Sequence, residues 1–225
     1  CLVQLIKPGA PCLMGSFAST ISMQSGAPTF GTPEAAKMVL ASGQLARRLG
    51  VPLHTVGTLS SSKVPDAQSE QEATWSLMMA MFAGANVINH ATGWLEGGLV
   101  TSFEKTMIDA DLCGKVVSFF EGIDLSDNAL AMDAIREVGP GAHFLGSTHT
   151  QTNFLSAFYR SSSSDSTSYE QWLADGAHDA AKRANTLWKK QLQDYQDPGL
   201  DPAIDEALQT FITARKSSMP DINYY

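Results

Sequence analysis

His90 stands at the end of a short apolar run, and a glycine-broken turn carrying Trp94 and Glu96 follows at once. Those three residue types can do chemistry together. An imidazole can move a proton near neutral pH. An indole face attracts quaternary ammonium by roughly 2 kcal/mol or more once water is removed. A carboxylate adds negative charge or accepts a proton. His90 and Glu96 are therefore the catalytic candidates, and Trp94 is a candidate wall for a cationic substrate. Each also has a structural use: a hydrogen-bonded core histidine, ordinary indole packing, an ion-pair acid.

Four further residues are candidate substrate contacts, each beside a plainer role. Glu104 lies in the first turn of an expected helix, where an acid also suits the helix dipole. Lys63 sits in a loop after an expected strand and could be a solvated lysine. Phe30 precedes a helix start and could be a hydrophobic staple. His149 closes another polar segment, 147–150. The Met78, Met79, Met81 and Phe82 cluster reads as core. No Walker loop, dinucleotide glycine fingerprint or zinc-spaced Cys/His set is present.

The elements that must hold these groups alternate. A short strand over 11–16 is followed by a polar loop, 17–31. Thr32-Pro33-Glu34 opens a helix that ends at Gly50, because a hydroxyl cap, a first-turn proline and an acid all favour a helix start. A strand over 53–58 follows, then a loop to Pro65. Asp66 caps a helix over 67–83, and a strand over 86–90 comes next. This order is the signature of a parallel sheet, and parallel sheets build their sites where strands end. A third helix is expected over 103–121 and a fourth from 126 to 138. A last short strand is expected at 143–146 and an exposed serine-rich linker at 161–168. Continuous helices are expected over 169–195 and 202–216.

The net charge of −8 argues against nucleic acid or an anionic membrane as partner, since both call for a basic face. No apolar run reaches the roughly 20 residues of a membrane helix. Cys1, Cys12 and Cys113 lack metal-like spacing and read as reduced thiols of a cytoplasmic protein. The chain opens inside an apolar pattern and is expected to be a piece of a longer polypeptide.

Several segments carry a resemblance. They are Ser25-Gly-Ala-Pro-Thr-Phe-Gly-Thr-Pro-Glu34, Gly43-Gln-Leu-Ala-Arg-Arg48, Pro65-Asp-Ala-Gln68, His90-Ala-Thr-Gly-Trp-Leu-Glu-Gly-Gly-Leu99, Ser102-Phe-Glu-Lys105 and Asp133-Ala-Ile-Arg-Glu-Val-Gly-Pro-Gly141. In that order the chain resembles the C-terminal half of the trimethylamine:corrinoid methyltransferase family. The resemblance implies an α/β fold: the C-terminal part of a (β/α)8 TIM-type barrel over 1–160. A serine-rich loop and C-terminal helices over 161–225 would pack on it. Half a barrel exposes strand edges, so the piece alone is expected to be unstable and inactive.

The implied reaction moves a methyl group from a methylated amine to the Co(I) corrinoid of a partner protein. No cofactor or metal would be bound directly, and a homo-oligomer is possible. Members acting on trimethylamine carry pyrrolysine, whose place falls within 57–63. No such residue is written there, which favours a quaternary amine such as glycine betaine. Two alternatives stand: a trimethylamine enzyme whose pyrrolysine is masked, for instance at Lys63, and a non-catalytic amine binder or inactive fragment.

Overall fold

The computed structural model describes residues 2–220. Cys1, read from the sequence as a reduced thiol, lies outside the described residues. The chain divides after Lys189 into two compact units.

The first unit opens with α1 (Leu2–Ile6), β1 (Met14–Gly15), and the strands β2 (Thr20–Ile21) and β3 (Pro28–Thr29). Then come α2 (Pro33–Leu49), β4 (Leu53–Val56), α3 (Ala67–Phe82) and β5 (Val87–Asn89). A hairpin of β6 (Trp94–Leu95) and β7 (Val100–Thr101) leads into α4 (Phe103–Phe120). Short helices α5 (Asp127–Leu130), α6 (Met132–Val138), α7 (Thr148–Asn153) and α8 (Tyr169–Ala174) follow, and then α9 (Ala180–Gln193), whose residues 190–193 fall beyond the division. The second unit contains α10 (Pro202–Ser218).

The long helices start where their caps dictate. Thr32 Oγ1 accepts from Ala35 N, Asp66 Oδ1 from Ser69 N and Ser102 Oγ from Lys105 N. Each satisfies a helix-end donor that would otherwise lack a partner. Gly50, at φ 65°, ends α2 in the left-handed conformation that glycine enters without steric cost.

The central sheet is β1-β4-β5, with both pairings parallel. Met14 faces Leu53, and His54 faces Val87. Helices α2 and α3 are the crossovers. Their junction with β4 is a core of Val39, Ala46, Leu53 and Ala83. Gly43 permits the approach, since a Cβ there would sit 2.2 Å from the Ala83 carbonyl oxygen. Leu53 is 1% exposed, and burying such a side chain contributes roughly 1.5–3 kcal/mol.

The described residues show a mixed α/β unit with an open parallel sheet, not a closed barrel. β1 and β5 are its edges, and Val87 on β5 remains 43% exposed. No helix among the described residues is long and apolar enough to cross a membrane.

Several expectations are corrected. The strand expected at 143–146 is a 3-10 turn, Phe144–Gly146, running into α7. A strand needs a neighbour to bond, and the turn's own i to i+3 bond, Ser147 N to Phe144 O at 3.0 Å, takes that carbonyl instead. The helix expected over 126–138 breaks at Ala131, whose φ is 51°. The helix expected over 169–195 is two helices, because Gly176 and Ala177 adopt positive φ between them. The loop 17–31 holds the antiparallel pair β2–β3. The serine-rich stretch is not wholly exposed: Ser163 is 4% exposed and donates to Asp111 Oδ2 at 2.9 Å.

Candidate functional site

In a parallel sheet the turns after β4 and β5 leave from the same end. Here they are laced together. Thr58 N donates to His90 O at 2.9 Å, Glu96 N to Ser62 O at 2.8 Å and Gly97 N to Ser60 O at 2.8 Å. The turn after β4 is small and tightly buried: Thr58 and Ser60 are fully buried, Leu59 and Ser62 nearly so. Glu72 on α3 fastens it, its Oε2 accepting from Ser60 Oγ at 2.8 Å and Ser61 N at 2.6 Å.

A chain of rings lies on these turns. His90 and Trp94 meet edge to face with centroids 5.2 Å apart. Phe17 lies 6.1 Å from His90 and 5.9 Å from Phe30, both edge to face. Phe30 is buried with Val56 and Leu59, and Trp94 packs on that cluster. Phe30 is held in place by its N–H, which donates to Ser61 Oγ at 2.9 Å. Phe17 is 62% exposed and His90 and Trp94 are half-buried, so the group forms a partly open aromatic shelf.

His90 and Glu96 both adopt left-handed backbone, at φ 52° and 50°. Non-glycine residues rarely do so outside turns and functional sites. His90 Nδ1 is buried without a hydrogen-bond partner. Such an orphaned atom is the kind of group a bound polar ligand satisfies. Glu96 is exposed at the hairpin tip, and Gly97 beside it comes so near that a Cβ would lie 3.3 Å from Pro28 Cγ.

The structure therefore brings together His90, Trp94 and Phe30, with Glu96 on the same turn. It places the other candidates elsewhere. Lys63 is exposed and its Nζ donates to Ser61 O at 2.7 Å. Glu104 accepts from Asn185 Nδ2 at 2.7 Å and Trp188 Nε1 at 2.8 Å, which makes it a clasp on α9. Those bonds hold its carboxyl down at about 2. His149 lies in α7, its Nε2 2.7 Å from Asn128 O.

Sequence reasoning missed the group beneath the shelf. Asp109 and Lys105 on α4 are fully buried and ion-paired, and Lys105 Nζ also lies 3.1 Å from Glu70 Oε1. Asp109 Oδ2 accepts from Thr58 Oγ1 at 3.0 Å and Gly93 N at 2.8 Å. Burial pushes the Asp109 carboxyl up, and Lys105 opposes that. The available signal was an i,i+4 Lys–Asp pair on a helix with Ile108 between them. Phe17 was passed over because it stands in a polar loop. No cluster of three or more His, Cys, Asp or Glu set to hold a metal occurs among the described residues.

Comparison with known proteins adds an independent finding. The family model described as "Trimethylamine methyltransferase (MTTB)" matches residues 1–220. The chain is 38% identical to a glycine betaine methyltransferase of Desulfitobacterium hafniense over 95% of its own length and 44% of that protein. It is 33% identical to trimethylamine methyltransferase MttB2 of Methanosarcina mazei over 94% of its length and 42% of that protein. A trimethylamine methyltransferase MttB of Methanosarcina barkeri is 32% identical, with 94% and 42% covered. The chain thus spans less than half the length of these relatives.

Proposed function

The chain belongs to the trimethylamine methyltransferase family, and from that premise we propose that it is part of an enzyme demethylating a glycine betaine-like quaternary amine. The methyl acceptor is the Co(I) corrinoid of a partner protein, which enters as a substrate. The aromatic shelf of Phe17, Phe30, His90 and Trp94 carries this reading. It lies at the carboxyl ends of the parallel strands β4 and β5, where such sheets place their sites. In this reading the open sheet is part of a (β/α)8 barrel completed by the remainder of the polypeptide. The serine-rich stretch and the helices through Lys189 pack on it.

In the transfer, the acceptor's electron pair forms a bond to the methyl carbon. The carbon–nitrogen bond breaks with its pair left on nitrogen. A quaternary ammonium then departs as a neutral amine and needs no proton. The protein's work is to hold the cation, align one methyl and exclude water. Ring faces of Trp94 and Phe17 suit the cation. His90, with an unpartnered Nδ1, suits a polar group such as the betaine carboxylate, which trimethylamine lacks. Glu96, exposed on the same turn, adds negative charge at the rim.

The turn after β4 also bears on the masked-pyrrolysine alternative. Its Thr58, Leu59, Ser60 and Ser62 are packed inward and Ser61 is half-buried, so a long side chain has most room at Lys63, which is exposed. The quaternary-amine reading follows more directly from that packing.

The test uses the whole protein. Calorimetry with glycine betaine and with trimethylamine reads binding, and the absorbance of reduced corrinoid partner reads methyl transfer. Betaine binding and transfer are expected. Binding without transfer would instead make the protein a quaternary-amine binder, and neither would remove the shelf as a site.

A further inference from the structure

We infer that Asp109 is a positioning residue that locks the turns after β4 and β5 together, so that His90 and Trp94 present one shelf. A buried carboxylate is costly unless every lone pair finds a donor. Asp109 is fully buried, and its Oδ1 pairs with Lys105. Its other oxygen takes both remaining donors from the site turns: Thr58 Oγ1 after β4 and Gly93 N after β5. Each donor stands next to the shelf. Thr58 gives its N–H to His90 O, and Gly93 directly precedes Trp94.

The fit leaves no slack. Gly93 has φ 84°, and a Cβ there would lie 2.4 Å from Thr106 Oγ1. Its carbonyl accepts from Ser102 N at 3.0 Å, so the turn rests directly on the start of α4. If either turn moved, the carboxylate would lose a donor where no water can replace it. Movement of His90 against Trp94 is therefore opposed by a charge, not by ring packing alone. Lys105 neutralises that charge and is itself shared with Glu70 on α3, which ties α3, α4 and both turns into one unit.

The claim that the lock serves amine binding rests on the proposed function; the lock itself does not. The whole protein is compared as wild type, Thr58→Val, Thr58→Ser and Asp109→Asn, with Thr58→Val covering the case that Asp109→Asn fails to fold. The indole N–H signals in NMR are read first, with Trp94 identified by Trp94→Phe. Thr58→Val should move the Trp94 signal and leave Trp188 in place, while Thr58→Ser should return it to the wild-type position. Glycine betaine affinity should fall about tenfold in Thr58→Val and recover to within about twofold in Thr58→Ser, a tenfold change being 1.4 kcal/mol. An unmoved Trp94 signal, or equal movement of Trp94 and Trp188, overturns the lock. Movement with unchanged affinity overturns its role in binding. If the wild type binds neither amine while Trp94 moves, the proposed function falls and the lock stands.

Discussion

The indole N–H of Trp188 donates to Glu104 Oε1 at 2.8 Å, while the Trp188 ring lies 5.0 Å from that of Phe103. Through this one residue α9 gains a charge-assisted hydrogen bond and a ring contact with the first turn of α4. The clasp gives Glu104 a structural use of its own.

Its pH dependence follows from the sign of the shift. Hydrogen bonds from Asn185 and Trp188 hold the Glu104 carboxyl down from 4.5 to about 2. A carboxylate depressed in the folded state contributes stability above its unfolded value and loses it as pH falls toward the folded one. Docking of α9 should thus be complete above 4.5 and weaken between 4.5 and about 2. Trp188 fluorescence during acidification, with Trp188→Phe as the blank, reads this directly. Glu104→Gln should weaken the docking by about 1–2 kcal/mol and flatten the acid transition. An unchanged transition would remove the clasp.

Trp94 should matter more for binding than for folding. Trp94→Ala is expected to weaken glycine betaine affinity by about 1–2 kcal/mol, the range for a cation partly desolvated on an indole face. Titration calorimetry on the whole protein checks it. Affinity equal to wild type would take Trp94 out of the site.

The sequence made parts of this legible and hid others for identifiable reasons. Local signals worked: Thr32 and Asp66 both cap the helices expected of them, because a cap bonds within three residues. The turn of His90, Trp94 and Glu96 was visible because strand, turn and helix are contiguous. Long-range partners were not visible. Nothing near Glu104 announces Trp188, and nothing near Asp111 announces Ser161 and Ser163. The same holds for Asp109, whose donor Thr58 is distant in sequence. The break at Ala131 was hidden because alanine ordinarily continues a helix, whereas Gly176 does mark the break before Ala180.

His90 combines the ring proposed to meet the substrate with a strained backbone, and substitutions can separate the two. At φ 52° glycine is unstrained and asparagine is tolerated, whereas alanine carries a steric cost, one this chain also bears at Ala131 and Ala177. His90→Ala should therefore melt below His90→Gly, by roughly 1 kcal/mol of stability. All such variants, His90→Asn included, should lose methyl transfer to a similar degree. Thermal melts paired with transfer assays decide it. Transfer that followed the melting order instead of the loss of the ring would restore a purely structural histidine.

Asp109 gives a titration opposite in sign to that of Glu104, and Lys105 controls it. Its ammonium is fully buried against Asp109, so Lys105→Met leaves a carboxylate without countercharge in dry surroundings. Breaking a buried pair in this way typically costs 3–5 kcal/mol, or about that here. Burial already pushes Asp109 above its ordinary 3.8, and Lys105 is the chief force opposing the rise. Removing it raises the folded-state value further. A carboxyl raised in the folded state binds more protons folded than unfolded, so stability falls as pH climbs from 3.8 through the folded value. The deficit of Lys105→Met against wild type should therefore be large at neutral pH and shrink on acidification. Adding Asp109→Asn should remove that pH dependence, because no proton is left to bind. Urea unfolding of the whole protein at pH values of about 5 and 7.5 measures both effects. A deficit independent of pH would mean that Asp109 is not ionised beneath the shelf, and the account of Lys105 as its countercharge would fail.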